Sequence, residues 1–517
     1  MRRRRFLAGV AAAGAAAGPA RAFVPAHNWE KHDFGSGPPV KDRLNQGPFP
    51  QYPPEEVVPG SDVVMATTPS ADVVPGYGMG LITYLTGDMG AAEIKAAPLE
   101  KAIDDLARLP LGQKLYLRPT WRELQKQPGR LDFPEYWRIA FDCARRYGKR
   151  IGLRVTLSNP DVAEPALPDF VVERVPMVKL VGEWKGDARQ VRHQKAHAEP
   201  RYDHPFFQAS FGELNALLAA ELNGQPLVEF VDTFMYGFWG EGHTWPYTNN
   251  PFPDYPSAEA TWVRMFETQL EHWTRTPLAT NTQPDFSRVG NSELVDRTIR
   301  SHNWLRTDTI FIENEQIEAI ANRPPWIAAV VEAPLAGGAP EAVAVAEGVS
   351  LTDQVATHVI DVGASYWSLW NFHEISAANL SRHYAHLPEP IDRIARRVGY
   401  RVRPSMIWSY SSATEAGLIL GLANDGVAGV PGVLRLEVAG PDGRSLAAGG
   451  LDPGYPLPGK VRQARLPLPR GTDWQGLRLK AELEVKGLRY PVRWACRQAL
   501  NDDGSLTLRP TAGVHSD

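Results

Sequence analysis

Two acidic residues stand where acid–base or nucleophilic chemistry could be built. Glu241 lies in Val228–Pro246, VEFVDTFMYGFWGEGHTWP, in which an apolar, aromatic stretch ends abruptly in Gly240-Glu241-Gly242-His243 between Trp239 and Trp245. Glu332 ends a second apolar run, WIAAVVEAP, which Pro334 terminates. Such runs read as buried strands, so each would deliver a carboxyl group from a strand end. One carboxyl group to protonate a leaving oxygen, and a second to attack carbon or activate water, is the pairing that glycoside hydrolysis uses. An acid working near neutral pH needs its charged form disfavoured, and packing Glu241 among Phe238, Trp239 and Trp245 would do that. Glu332 needs the opposite, a cation or hydrogen-bond donors, and Arg118 and Arg154 are the candidates, because a core arginine is costly unless paired.

Other residues compete for or support these roles. Glu313 and Glu315 in Glu313-Asn314-Glu315 rival Glu332 as nucleophile, although acidic residues also favour a helix N-terminus. Trp239, Trp245 and Trp370 offer flat faces on which the C–H side of a sugar ring packs. Burial explains aromatics as readily. Trp367 and Trp370 are three apart on one strand, so they face opposite ways. His243, Asn281, Asn371 and Tyr84 are polar side chains expected at strand ends. The thirteen histidines are scattered, with no metal-ligand spacing, and no cofactor motif is present.

These residues need elements to carry them. From residue 74 to 398 an apolar run, a polar or glycine-containing loop and an amphipathic helix recur eight times. The strands are read at Gly78–Thr86, Lys114–Pro119, Arg150–Ser158, Val228–Phe238, Pro277–Thr282, Asp308–Glu313, Trp326–Glu332 and Ala364–Asn371. Helices are read between them, among them Gln208–Leu222, Ala258–Thr274 and Ser292–Leu305. Asn159 to His204 is a charged insertion too long for an ordinary loop, and so is expected to shape the site. Eight such units are what a (β/α)8 TIM barrel requires, with the chemistry at the C-terminal strand ends. An open doubly wound sheet would carry a glycine fingerprint after its first strand, and Leu85–Gly90 is not one. Residues 399–517 are short alternating runs between Gly, Pro and Asp turns, which reads as an antiparallel β-sandwich.

The ends and the composition bound the rest. Arg3-Arg4-Arg5-Phe6-Leu7 fits a twin-arginine export signal and Ala20-Arg21-Ala22 a cleavage site, so residues 1–22 are read as a signal peptide and the mature chain as periplasmic or secreted. Residues 23–73, rich in Pro and Gly, are read as an extended leader that wraps the main domain or is partly disordered. No later segment is apolar for long enough to insert in a membrane. The 55 basic and 59 acidic residues nearly cancel, which invites no nucleic-acid partner. Cys143 and Cys496 fall in different domains and are read as two buried thiols.

With these motifs in place, the chain resembles clan A glycoside hydrolases, the barrel superfamily of cellulases and β-galactosidases. More closely it resembles bacterial barrel-plus-sandwich proteins known only as glycoside-hydrolase-like. The resemblance rests on Glu241 after strand four, Glu332 after strand seven, Leu117-Arg118-Pro119-Thr120-Trp121 at strand two and the late sandwich. It implies a carbohydrate substrate, Glu241 as acid/base, Glu332 as nucleophile, a retaining two-glutamate mechanism and no cofactor, with Arg118, Trp121 and Arg154 among the residues that line the site. One departure stands out: the clan has Asn immediately before the acid/base, and here Gly240 stands instead. That substitution keeps open a catalytically silent, glycan-binding barrel. A metal-dependent hydrolase ranks last, because only His243 falls at a strand end.

Overall fold

The computed structural model describes residues 61–87, 98–160, 164–181, 197–244, 247, 249–282, 288–307, 319–332, 344–346, 349–369, 375–386 and 388–510. The export and cleavage motifs, Trp245, Glu313, Trp370 and Asn371 lie outside the described residues.

Eight parallel strands close into a barrel: β1 (Gly80–Tyr84), β2 (Lys114–Leu117), β3 (Arg150–Leu153), β4 (Val228–Asp232), β5 (Leu278–Asn281), β6 (Trp304–Thr307), β7 (Ala329–Glu332) and β8 (Tyr366–Ser368). β8 pairs with β1, Tyr366 opposite Gly80, and that pairing closes the ring. Helices α1 (Leu99–Ala107), α2 (Glu135–Tyr147), α3 (Pro205–Leu222), α4 (Tyr255–His272), α5 (Arg288–Arg300) and α6 (Leu351–Asp361) alternate with the strands. In α2 the apolar residues recur at helical spacing, so Tyr136, Ala140, Phe141 and Ala144 are buried, while Arg145 and Arg146 sit in the last turn, where cations suit the helix dipole.

The barrel interior follows from strand alternation. Ile82, Tyr116, Phe230, Trp304, Val330 and Tyr366 belong to one buried cluster. Phe230 fills the middle, with its ring 6.2 Å from Tyr116, 6.1 Å from Trp304 and 5.4 Å from Tyr366. β3 makes room for it with Gly152, where a Cβ would come within 2.5 Å of the Phe230 ring.

Several strands differ from the sequence expectation: β3 ends at Leu153 rather than Ser158 and β7 begins at Ala329 rather than Trp326, and two differences bear on the site. β4 stops at Asp232 rather than Phe238. The apolar run continues because Phe234, Met235, Tyr236 and Phe238 are buried as loop, Phe234 against Phe211 at 5.4 Å and Tyr236 against Trp262 at 4.9 Å. Burial is as complete there as in a strand, so composition alone does not separate the two. The sixth strand is Trp304–Thr307, not Asp308–Glu313, a stretch that lies outside the described residues. Its Trp304 and Leu305 do not end the preceding helix, which stops at Arg300.

The sandwich comprises β9 (Val402–Ser411), β10 (Ala416–Asn424), β11 (Val433–Ala439), β12 (Ser445–Gly450), β13 (Val461–Leu468), β14 (Arg478–Val485) and β15 (Leu488–Pro491). One sheet runs β9–β10–β13 and the other β12–β11–β14–β15, with Leu506–Thr507 beside β14. Strict alternation buries Leu479, Ala481, Leu483 and Val485 of β14, which belong to one core cluster with Leu418, Leu420 and Leu422 of β10. The leader's last stretch is part of this domain: Ser61–Ala66 is an edge strand on β9, and the Thr67 hydroxyl donates to the Pro404 carbonyl at 2.6 Å. Cys143 and Cys496 are both free and buried. Among the described residues no helix is long and apolar enough to cross a membrane.

Candidate active site

A charged layer lies one alternation step beyond the packed barrel interior, at the C-terminal strand ends. Arg118 is two residues past Tyr116, Arg154 two past Gly152, Asp232 two past Phe230, Arg306 two past Trp304 and Glu332 two past Val330. All five are buried. Alternation carries each inward side chain on to the next inward position, so β2, β3, β4, β6 and β7 deliver five charges to one plane, with β5 between β4 and β6 adding none.

Asp232 is the hub. Its Oδ2 lies 3.0 Å from Arg306 Nη1 and 3.5 Å from Arg154 Nε, and accepts a hydrogen bond from the Tyr116 hydroxyl. Arg306 also donates through Nη2 to Glu332 Oε2. Tyr84 donates to that oxygen at 3.0 Å. Burial pushes the Tyr84 hydroxyl up to about 12, against the pull of Arg306 and Arg118. Burial, reinforced by Asp232, pushes Tyr116 up to about 12 as well, so both phenols stay protonated as donors. Burial is the strongest influence on Arg306 and works against its charge, but Asp232 with Tyr116 and Tyr84 beside it together hold the guanidinium above its usual range.

Glu241 enters this plane from outside the barrel wall. After β4 the chain makes a short 3-10 turn, Phe238–Gly240, with Glu241 at its end. The turn needs left-handed backbone at Gly237 (φ 83), Trp239 (φ 54), Gly240 (φ 82) and Gly242 (φ 84). At Gly237 a Cβ would also meet the His243 carbonyl at 2.3 Å. Gly240, where the resemblance implies Asn, lies on this tight loop beyond β4 rather than on the strand end itself. Arg154 Nη1 donates to Glu241 Oε1 at 2.9 Å and Arg118 Nη2 to the same oxygen at 3.4 Å. His243 Nε2 lies 3.3 Å from Oε2. Three guanidinium groups therefore meet three carboxyl groups in a buried network, with bonds of the charge-assisted kind.

Arg118, Arg154, Trp239, His243, Glu241 and Glu332 are brought together as the sequence suggests, but with different partners. Arg118 and Arg154 face Glu241, and Arg306 is the cation at Glu332. Phe238 and Trp239 stand around His243, at 6.0 and 5.5 Å between ring centroids. The side-chain contacts the structure shows for Glu241 are guanidinium and imidazole rather than the phenyl and indole rings of Phe238 and Trp239. Asn281 ends β5 beside Arg306 in register and is buried at the same rim. Trp121 is not at a surface a sugar can reach: it is fully buried, its indole donates to Gln125 at 2.8 Å, and its ring packs edge-on to Phe207. Trp367 faces the helices in the core around β7 and β8, as alternation requires. Asp232 and Arg306 are the residues that sequence reasoning misses. Their signal was the two-residue step, Phe230 to Asp232 and Trp304 to Arg306. Among the described residues no group of three or more His, Cys, Asp or Glu is arranged to hold a metal ion.

No family model matches the chain, and no curated protein does. Among solved structures it is similar to GH5_18 from Streptomyces cattleya in complex with GlcNAc, at 12% identity and a TM-score of 0.39, covering 62% of this chain and 80% of that one. It is also similar to the catalytic domain of β-amylase from Paenibacillus polymyxa, at 8% identity and 0.38, covering 60% and 98%. A third is endo-glycoceramidase II from Rhodococcus sp., at 11% identity and 0.37, covering 76% and 97%.

Proposed function

We propose that the chain is an exported glycoside hydrolase that cleaves an oligo- or polysaccharide with retention of configuration. The observation that carries the reading is the convergence of Glu241 and Glu332, from β4's loop and β7's end, on one buried guanidinium network at the C-terminal mouth of the barrel. Carboxyl groups so placed can divide the labour of glycosyl transfer. Glu332, with Arg306 and Tyr84 donating to Oε2, is favoured as a carboxylate and attacks the anomeric carbon. Glu241, whose Oε1 is taken by Arg154 and Arg118, gives a proton from Oε2 to the departing glycosidic oxygen. The aglycone leaves as an alcohol and the sugar remains as an ester on Glu332. Glu241 then takes a proton from water, which attacks the anomeric carbon and releases the sugar and the Glu332 carboxylate. Trp239, His243 and Asn281 line the approach. Export is supported by Arg3–Leu7 and Ala20-Arg21-Ala22.

The test is a screen of chromogenic glycosides and cell-envelope polysaccharides, followed by Glu241→Gln and Glu332→Gln on whatever substrate turns over. Each variant should keep its fold, with Glu241→Gln losing about 10²–10⁴-fold in rate and Glu332→Gln falling to background. Product anomer by NMR checks retention. Full activity in either variant removes that residue from the mechanism. Gly240 in place of Asn favours a second reading, a silent glycan-binding barrel, which glycan binding by calorimetry without turnover would support.

A further inference from the structure

The insertion between β3 and β4 contains a buried polar cluster that the reaction above does not use. Its hairpin pairs Met177–Leu180 with His197–Pro200. Glu199 lies on the second strand and is completely buried. Its Oε1 accepts from the Ser158 hydroxyl and lies 2.7 Å from His197 Nε2, while Oε2 accepts from the Tyr202 hydroxyl. Among the described residues His197 is the one basic side chain within ion-pair distance of Glu199. Burial, and then Glu199, push the Tyr202 hydroxyl well above its usual range, so it stays a donor to Glu199.

Both ends of this cluster grip the loop that carries Glu241. The Tyr202 oxygen accepts the Gly237 N–H at 3.1 Å, and the Ser158 carbonyl accepts the Trp239 N–H at 2.8 Å. His197 stands edge-on to Phe238 at 5.3 Å. Asn249, beyond Glu241 on the same loop, clips the hairpin: it accepts the Val181 N–H at 2.6 Å and donates to the Lys179 carbonyl at 3.0 Å. The loop needs such a grip. Trp239 is held at φ 54, a conformation that a bulky residue keeps only when its surroundings impose it.

We propose that Glu199 and Tyr202 are positioning residues that hold the Glu241 loop in its catalytic conformation, with Ser158 as their second anchor. The proposal rests on the reading of Glu241 as the acid. A buried carboxylate with three donors is a stiff, high-stakes network, and this one spends two of its members on the backbone two and four residues before the acid. The insertion therefore acts as a splint: it touches the loop rather than the reacting atoms.

Tyr202→Phe keeps the ring, which packs 4.9 Å from Phe207 and 5.6 Å from Tyr236, and removes the hydroxyl. A displaced acid hurts substrates whose leaving group needs a proton and spares those whose leaving group departs as a stable anion. In Tyr202→Phe, kcat/KM should fall by up to about 10²-fold for alkyl glycosides but within about twofold for dinitrophenyl glycosides. Glu199→Gln, which keeps the volume but cannot accept from all three donors, should show the same split. An equal loss on both substrate classes overturns the proposal, as does no loss on either. Hydrogen exchange on the same variants reads the loop without any substrate: exchange should quicken from Gly237 through Gly242 while β4 stays protected. Quickening at Gly237 alone overturns the proposal. If the wild type cleaves no glycoside, the hydrolase reading fails, and the exchange pattern still decides whether the splint holds this loop.

Discussion

Arg306 occupies the position on which two buried carboxylates converge. Its fork reaches Asp232 through Nη1 at 3.0 Å and Glu332 through Nη2, and none of the three is open to solvent. A buried pair stripped of one partner leaves an uncompensated charge, so Arg306→Met should cost about 3–5 kcal/mol in urea unfolding. Arg306→Lys keeps the charge but has no planar fork to bridge both acids, and should fold while losing turnover. A Met variant as stable as the wild type would show that the two carboxylates are neutralised by something else. This residue also marks the limit of what could be read. Glu241 and Glu332 were legible because each follows or ends a long apolar run, and Arg118 and Arg154 because an arginine at the end of, or inside, an expected core strand needs a charged partner. Arg306 sits in a four-residue strand, WLRT, where one inward arginine breaks the apolar signal, and Asp232 is hidden inside a longer run. Partner choice was not legible at all. Which arginine meets which glutamate depends on strand stagger around the ring, a property of the closed sheet rather than of any segment.

Elements were legible where one period dominates and ambiguous where burial outlasts regular structure. The barrel and the sandwich could both be read, because eight strand–helix alternations followed by short alternating strands admit few architectures. Strand four could not be bounded, since Phe234 to Phe238 are as buried in a loop as Phe230 is in the strand. The short helix Trp121–Leu124 shows the local logic that follows a strand into the site. Thr120 caps it, its hydroxyl accepting the Glu123 N–H at 3.2 Å, while Glu123 reaches back to the Thr120 N–H at 2.8 Å. Tyr136 on α2 donates to the same carboxylate at 3.1 Å, so the box also ties β2's exit to the next helix. Thr120→Ala should therefore cost about 1 kcal/mol by chemical denaturation. A variant indistinguishable from the wild type would mean that packing of Trp121 alone fixes this turn.

At the scale of the molecule, the sandwich seals the end of the barrel opposite the charged mouth. Tyr77, just before β1, stacks on Tyr490 of β15 with centroids 3.6 Å apart, and Arg150 lies over both rings. Beneath them Glu229 is buried against Lys114 at 2.7 Å and the Tyr366 hydroxyl at 2.7 Å. The turn after β14 makes a further contact: Lys486 Nζ donates to Asn303 Oδ1 at 3.0 Å, and that oxygen also accepts the Leu278 N–H at the start of β5. Burial at this junction pushes the Lys486 ammonium down to about 8 from 10.5. Below pH 8 the folded and unfolded chains both carry the proton, and the folded state bears the cost of a poorly solvated charge. Between pH 8 and 10.5 the unfolded chain binds more protons than the folded one, so stability from this group rises with pH and is complete above 10.5. Lys149, also pushed down to about 8 by burial, adds a rise of the same sign, so the informative quantity is the difference between two proteins. Lys486→Met should be more stable than the wild type at pH 7, and that advantage should shrink steadily as the pH is raised from 8 toward 10.5, followed by urea unfolding at each pH. An advantage that does not change with pH would mean that the junction tolerates the charge, and that Lys486 joins the domains by packing alone.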